Sequence, residues 1–243
     1  MTAEQSSPAS RSSLPGPVAD GSDSGGRAAR RRARNRERLL AVAEEAFRHA
    51  SYRDVRVEDL AEAADVAVGT IYGYFGNKEG LYLTLVERAV TQFAGYLKQA
   101  FSEQGSPLEQ VMAAGEHYLR FHLEHPGSFQ LLSGQSPIDG TSPLTHELRD
   151  RIGGQIEEIL AGFQGRIQAA IDAGEMPTDL DARLAARFLW GAWNGVVALG
   201  LRGDLMRLSD DEIAACLRQG RRIVRSGLAV AGHQRPSDKT PAS

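Results

Sequence analysis

Apolar positions recur at three- and four-residue spacing along most of the chain, and no convincing run of period-two alternation rich in β-branched residues interrupts them. Leu39, Ala43 and Phe47, with Leu40 and Ala46 beside them, form one stripe and predict a helix over about 30–50. A second helix starts near Val57 and turns Leu60, Ala61 and Ala64 inward before Asp65 breaks it. A short third helix covers 68–75, with Val68, Ile71 and Phe75 at i, i+3 and i+7. A fourth follows Gly76, capped by Asn77 with Gly80 three residues on, and runs through Leu81, Leu85 and Phe93 to about 101. The turn between the second and third helices, Asp65-Val66-Ala67, is short, as a helix-turn-helix requires.

The remainder reads as longer helices with clear punctuation. Ser106-Pro107 offers a cap followed by proline at the first helical position. His125-Pro126-Gly127 stops that helix, and a loop of Ser, Gly, Pro and Asp covers 133–143. A long helix over 144–173 is closed by Gly174 and Pro177, and another over 180–202 by Gly203. Ser209 with Glu212 makes a capping box for a last helix ending near 228. The expected fold is all-α with about nine helices and no fixed-period repeat.

Both ends differ from this body. Residues 1–26 hold one Leu and one Val among Ser, Gly, Pro, Ala and Asp, and 232–243 are similar, so both are expected to be disordered tails. Charge then changes the picture. The net charge of −3 hides a block at 27–38 with seven arginines and one glutamate, on a chain that is otherwise acidic. A basic block on an acidic body points to one polyanion-binding end. One cysteine, Cys216, excludes an internal disulfide framework and a four-cysteine zinc site, and fits a reducing, cytoplasmic location. The N-terminus lacks the apolar core of a signal peptide, and the apolar stretch Phe188 to Leu201 is short for a bilayer, so no membrane role is expected.

With Val68, Ile71 and Phe75 inward, Gly69, Thr70, Gly73 and Tyr74 fall on the outer side of the third helix, and Tyr72 lies at its edge. Two glycines in a two-turn helix cost about 1 kcal/mol each relative to Ala. They are either incidental or serve close approach to another surface, where small positions let the helix sink and hydroxyls donate to phosphates. The arginines are too many for a helix N-terminus, whose dipole disfavours cations. They form either a solvated tail or an arm on DNA, with Arg30, Arg31, Arg32 and Arg34 as its candidates.

The larger part carries weaker signals. His117, His122 and His125 share one helix, but no second ligand cluster accompanies them, so no metal is expected. No nucleophile elbow and no phosphate-cradling glycine loop occurs, so no catalytic residue or cofactor is assigned. Tyr118, Phe121, Phe163, Phe188, Trp190 and Trp193 lie on the long helices, either as plain core or dimer interface, or as the lining of a small-molecule cavity. Asn194 inside an apolar helix needs a partner. His117, Phe121, Trp193 and Asn194 are the candidate ligand residues.

The stretch Arg56 to Leu81, RVEDLAEAADVAVGTIYGYFGNKEGL, resembles the DNA-binding domain of TetR-family (tetracycline-repressor-like) bacterial transcriptional regulators. The resemblance is carried by Ala-Glu-Ala-Ala, Val66, Gly69-Thr70-Ile71-Tyr72-x-Tyr74-Phe75 and Asn77-Lys78-Glu79-x-Leu81, and covers about 35–85. It implies an all-α homodimer: a helix-turn-helix domain at 27–80 with its third helix in the major groove, then a helical ligand-binding and dimerisation domain at 81–231. By that resemblance Tyr72, Tyr74 and Lys78 match phosphate-contacting positions, Thr70 and Ala67, Val68 and Gly69 lie at or near base edges, and Arg56 lies against the backbone. The sequence departs from the pattern at Val57, which replaces a hydroxyl residue, at Asp65, which replaces a glycine, and at Ala67, which replaces a serine. Gly73 also lacks a side chain that many relatives carry there. Few polar groups then remain for direct readout, which leaves Thr70, thymine methyls and DNA shape. The implied partners are an operator duplex and a small apolar or amphipathic effector that releases a repressor. The alternative is a DNA-binding regulator without a small-molecule ligand, controlled by a protein partner or by abundance.

Overall fold

The computed structural model describes residues 22–133 and 143–228; the expectations for most of the N-terminal tail, for the C-terminal tail and for most of the 133–143 loop lie outside them. The described residues form nine α-helices and one 3-10 turn, with no strand. In chain order these are α1 (Ser22–His49), α2 (Val57–Ala63), α3 (Val68–Phe75), α4 (Lys78–Ser102), α5 (Pro107–Glu124), α6 (Pro126–Ser133), α7 (Pro143–Asp172), α8 (Ala182–Ala198) and α9 (Asp210–Leu228), with the 3-10 turn at Leu199–Leu201.

Local chemistry sets most boundaries. Asn77 caps α4 by accepting from the Gly80 N–H at 2.7 Å. Gly80 itself must be glycine, because a Cβ there would sit 2.0 Å from the Phe75 carbonyl oxygen. Ser106 and Glu109 close a reciprocal capping box on α5. Asp181 caps α8, accepting from the N–H groups of Arg183 and Leu184 at 2.8 and 3.0 Å.

Three boundaries differ from the sequence reading. α1 begins at Ser22, within the stretch expected to be disordered and eight residues before the expected helix. Alanine and arginine are strong helix formers, and the run Arg27 to Arg38 has ten of them in twelve positions, which outweighs the unfavourable dipole. His125-Pro126-Gly127 does end α5, but Pro126 then opens α6, since a proline at a first helical position gives up an N–H that has no helical partner. The apolar stretch on α8 is also longer than Phe188 to Leu201. Ala182–Leu201 is 20 residues with mean hydropathy 1.3, enough by length and composition to cross a membrane. Its Ala186, Leu189 and Val197 are buried against the rest of the chain, while 22% of the stretch as a whole is buried among the described residues.

Two apolar cores result. The first joins α1, α2, α3 and the start of α4 through Leu39, Phe47, Leu60, Ile71, Phe75 and Leu81. The second joins α4, α5, α7, α8 and α9 through Phe93, Tyr118, Phe163, Ile167, Leu189 and Leu217. Glu79, buried in the first turn of α4, accepts from Arg149 of α7 at 2.5 Å and ties the two parts together.

The turn between α2 and α3 puts Asp65 at φ +49°, a left-handed backbone held by Val66 N–H donating to the Ala61 carbonyl at 3.0 Å. Arg38 donates to the Asp65 carbonyl at 3.1 Å, while the Asp65 side chain is almost fully exposed. We expect Asp65→Gly to change stability by less than about 0.5 kcal/mol and Asp65→Val to cost about 1–2 kcal/mol, because glycine and aspartate both tolerate that backbone and a β-branched side chain does not. Denaturant titration checks this; equal losses would mean the carboxylate holds the turn.

Candidate nucleic-acid interface and effector cavity

The outer face of α3 is open. Nothing lies within 4 Å of a Cβ built at Gly69 or Gly73, and Tyr72 is 46% exposed. Inward, Ile71 and Phe75 are buried, whereas Val68, assigned to the core from spacing, is only half-buried. Its place at the first residue of α3 leaves one side facing outward. Thr70 is also half-buried. The cap position, Ala67, makes no side-chain hydrogen bond, and Thr70 N–H donates to the Ala67 carbonyl at 2.8 Å in the first turn of α3. Arg56 likewise caps α2 without a side-chain bond, and its guanidinium is exposed 3.7 Å from Glu58. Val57, where a hydroxyl was missing, is buried in the first core.

Two of the candidate phosphate contacts have partners within the chain. Tyr74 Oη donates to the Arg32 carbonyl at 3.2 Å, which fastens α3 to the basic end of α1. Lys78 Nζ sits 4.6 Å above the Tyr52 ring and donates to the Arg53 carbonyl at 3.4 Å. Partial burial pushes its pKa down from the ordinary lysine value. Tyr72 keeps its exposed ring.

The arginine block is helix rather than an extended arm. Arg30, Arg31, Arg32 and Arg34 are exposed along α1 beside α3. Two other arginines serve the fold, a role not legible in the sequence. The Arg36 guanidinium stacks 5.4 Å from the Phe75 ring centroid, and Arg38 holds the turn before α3. The face therefore combines an open, small-residue helix with a row of cations, which suits a polyanion with a groove.

The second core encloses a cavity of about 140 Å³ between α4, α5, α6, α7 and α8. Phe121 and Asn194 line it, as expected. His117 and Trp193 do not. His117 is turned to the α4–α5 edge, where its Nε2 lies 2.7 Å from Glu103 Oε1 and its Nδ1 3.4 Å from Arg120. Trp193 fills the space over Gly115 and packs on Phe163. The sequence reading placed both by helix and residue type, which do not give the direction of a side chain. Tyr118, Phe93, Phe129 and Trp190 line the cavity instead. Asn194 Nδ2 donates to the Trp190 carbonyl at 2.8 Å. The Tyr118 hydroxyl is buried with no hydrogen-bond partner among the described residues.

α6 lies between cavity and interface. Phe129 and Leu132 face the cavity, while Leu131 packs into the first core. Ser128 Oγ is 2.9 Å from Glu44 Oε1 of α1 and 3.0 Å from Gln92 Oε1 of α4.

Comparison with known proteins gives a consistent result. Residues 39–85 match the family model described as bacterial regulatory proteins, tetR family, and residues 111–222 the model of a tetracyclin repressor-like C-terminal domain. The chain is 28% identical over 174 residues to the fatty acid metabolism regulator protein of Bacillus subtilis, covering 68% of this chain and 83% of that protein. It is 27% identical over 220 residues to the transcriptional regulator TcmR of Streptomyces glaucescens, covering 86% and 87%. The crystal structure of FadR from Bacillus subtilis in complex with stearoyl-CoA superposes with a TM-score of 0.65 at 22% identity, over 79% of this chain and 98% of that one. At that identity the superposition shows a shared fold.

The open space at Gly73 has a direct consequence for stability. We expect Gly73→Ala to stabilise the free chain by about 0.5–1 kcal/mol, since alanine is the better helix former and meets no neighbour. Denaturant titration reads this; a loss would mean the fold itself requires glycine there.

Proposed function

The chain belongs to the tetR family of bacterial transcriptional regulators, and on that premise we propose that it is a ligand-responsive repressor which binds a two-fold operator as a dimer. The observation that carries the DNA reading is the open face of α3 at Gly69 and Gly73, flanked by the exposed arginines of α1. In this reading Ala67, Val68, Gly69, Thr70 and Gly73 face base edges, and Tyr72, Tyr74, Lys78 and Arg56 face phosphates. Tyr74 and Lys78 do so while also bracing α3 and α4. Arg30, Arg31, Arg32 and Arg34 add phosphate contacts from a helical extension. A protein working on DNA in this way acts in the cytoplasm.

The dimer reading rests on α8 and α9. Leu184 and Phe188 are 55% and 68% exposed on α8, Ile223 is 65% exposed on α9, and Gly191 and Gly195 leave open space for close helix approach. Leu184 and Phe188, one turn apart on α8, present one apolar face that a partner helix would cover. A two-fold pair of α3 helices about 34–36 Å apart, or somewhat more, reaches successive major grooves.

Effector binding acts by population shift. A molecule in the cavity pushes on Phe129 and Leu132, and α6 passes the displacement to α1 through Ser128 and Glu44, changing the spacing of the two α3 helices. Only the difference in affinity between the two arrangements weakens DNA binding. The FadR structure contains stearoyl-CoA, but the cavity here is close in size to one of about 150 Å³ that binds benzene, so that ligand is not carried over whole. The small volume is also the observation that favours the second reading, control by a protein partner or by abundance alone.

Selection from random DNA followed by salt titration tests the DNA reading. We expect Lys78→Ala to weaken all sequences alike and keep the consensus, and Thr70→Ala to change it. Replacing Arg31, Arg32 and Arg34 by Ala removes one to two phosphate contacts per protomer. It should flatten the slope of log K against log[salt] by roughly 2–4 units. An unchanged slope would make these arginines a solvated surface. We expect Phe188→Glu to give a monomer by light scattering and to lose operator affinity; a dimer with that variant would place the interface elsewhere.

A further inference from the structure

The polar atoms around the cavity are few, and they are not equivalent. Among the described residues of its lining only Tyr118, Trp190 and Asn194 carry a polar side-chain atom, and none is charged or an imidazole. The Tyr118 hydroxyl is closed off from any bound molecule, because its oxygen has essentially no accessible surface. The Trp190 indole can only donate. Asn194 is half-buried, and its side chain makes one hydrogen bond among the described residues, from Nδ2 to the Trp190 carbonyl at 2.8 Å. A carbonyl only accepts, so this bond fixes which end of the amide is nitrogen and leaves Oδ1 with both lone pairs. Asn194 Oδ1 is then the one side-chain acceptor in the lining that keeps accessible surface.

Its place on the helix matters as much as its chemistry. α8 turns Leu184, Phe188, Gly191 and Gly195 outward and buries Ala186, Leu189 and Val197. Helix geometry sets Asn194 between those faces, one turn beyond Trp190, so it stands at the rim of the cavity. An apolar body fits among Phe93, Phe121 and Phe129, and the rim is where a single polar substituent can keep a hydrogen bond. A carboxylate or ammonium there would lose water with no opposite charge beside it. A substituent that only accepts gains nothing from Oδ1, whereas one that donates completes it.

We propose that Asn194 makes this cavity selective for a neutral hydroxyl compound with an apolar body of about benzene's size, a phenol or small cyclic alcohol, whose O–H donates to Asn194 Oδ1. The proposal rests on the cavity being the effector site, and it names the class of effector that site takes. The aromatic walls accept the body, and Asn194 discriminates the substituent.

Titration calorimetry on the full chain tests it with benzene, phenol, toluene and benzaldehyde. Phenol and toluene have nearly the same shape and differ in the hydroxyl; benzaldehyde accepts but cannot donate. Wild type is expected to bind benzene, and the ratio of phenol to toluene affinity is expected to fall about fivefold in Asn194→Leu, equivalent to about 1 kcal/mol. The ratio of benzaldehyde to toluene affinity should stay within about twofold, since no acceptor on the ligand uses Oδ1. Comparing ratios cancels the unequal hydration of the probes and any change of cavity volume. Asn194→Ala, which leaves space where Leu fills it, should give the same fall in the phenol ratio. A phenol ratio unchanged in both variants, with benzene still bound, overturns the proposal and leaves the effector site standing. An equal fall for benzaldehyde overturns it too, because the amide would then be donating. So does an unchanged phenol ratio accompanied by loss of the dimer in light scattering, which would assign Asn194 to the subunit interface. Failure of all the probes on wild type, benzene included, sinks the effector-site reading and the proposal with it.

Discussion

Helix α4 is buried in two cores at once, and the rest of the molecule is arranged around that constraint. Leu81, Tyr82 and Leu85 at its start belong to the helix-turn-helix core, while Leu83, Val90, Phe93 and Leu97 belong to the larger one. α4 keeps an exposed stripe at Arg88, Thr91, Gly95 and Lys98, but its other faces are set in both cores, so the two parts share one continuous helix. Glu79 adds a polar lock at the same end. Buried and paired with Arg149, it would be left as an unpaired buried charge if the two parts separated.

A regulator still needs the reading head to respond, and the polar seam along α6 is where the structure allows it. α6 has one residue set in each core, Phe129 with the cavity and Leu131 with the reading head. Its ties to α1 are Leu131, buried with Leu39 and Phe47 in the first core, and the Ser128 hydroxyl between Glu44 and Gln92, against three apolar side chains that α4 sets in that core. In the proposed switch, displacement from the cavity travels through the lighter of the two connections, and the basic end of α1 moves with it, because Tyr74 and Arg36 fasten that end to α3.

The helices were legible because their signals are local. Asn77 with Gly80, Ser106 with Glu109 and Ser209 with Glu212 act over three residues, and the stripe Leu39, Ala43, Phe47 over two turns. The α3 face was legible for the same reason. What was not legible depends on residues far apart in sequence. Helix periodicity puts Trp193 and Trp190 one turn apart, yet packing over Gly115 fills one position and leaves the other beside the cavity. His117 was drawn to the edge by Glu103, fourteen residues earlier. Arg36 and Arg38 read as part of a uniform basic run, and only their neighbours Phe75 and Asp65 set them apart. Pro126 reads as a stop, because sequence shows that one helix ends there but not that a tertiary slot is ready for the next.

The central claim is that the cavity and the DNA-reading face communicate through α6. Hydrogen–deuterium exchange of the full chain, with and without saturating benzene, tests it most directly. The account predicts altered protection in Pro126–Ser133 and in the facing segment of α1 around Glu44 to Arg48, beyond the cavity walls themselves. Changes confined to α5, α7 and α8, with α6 and α1 unaffected, would contradict it.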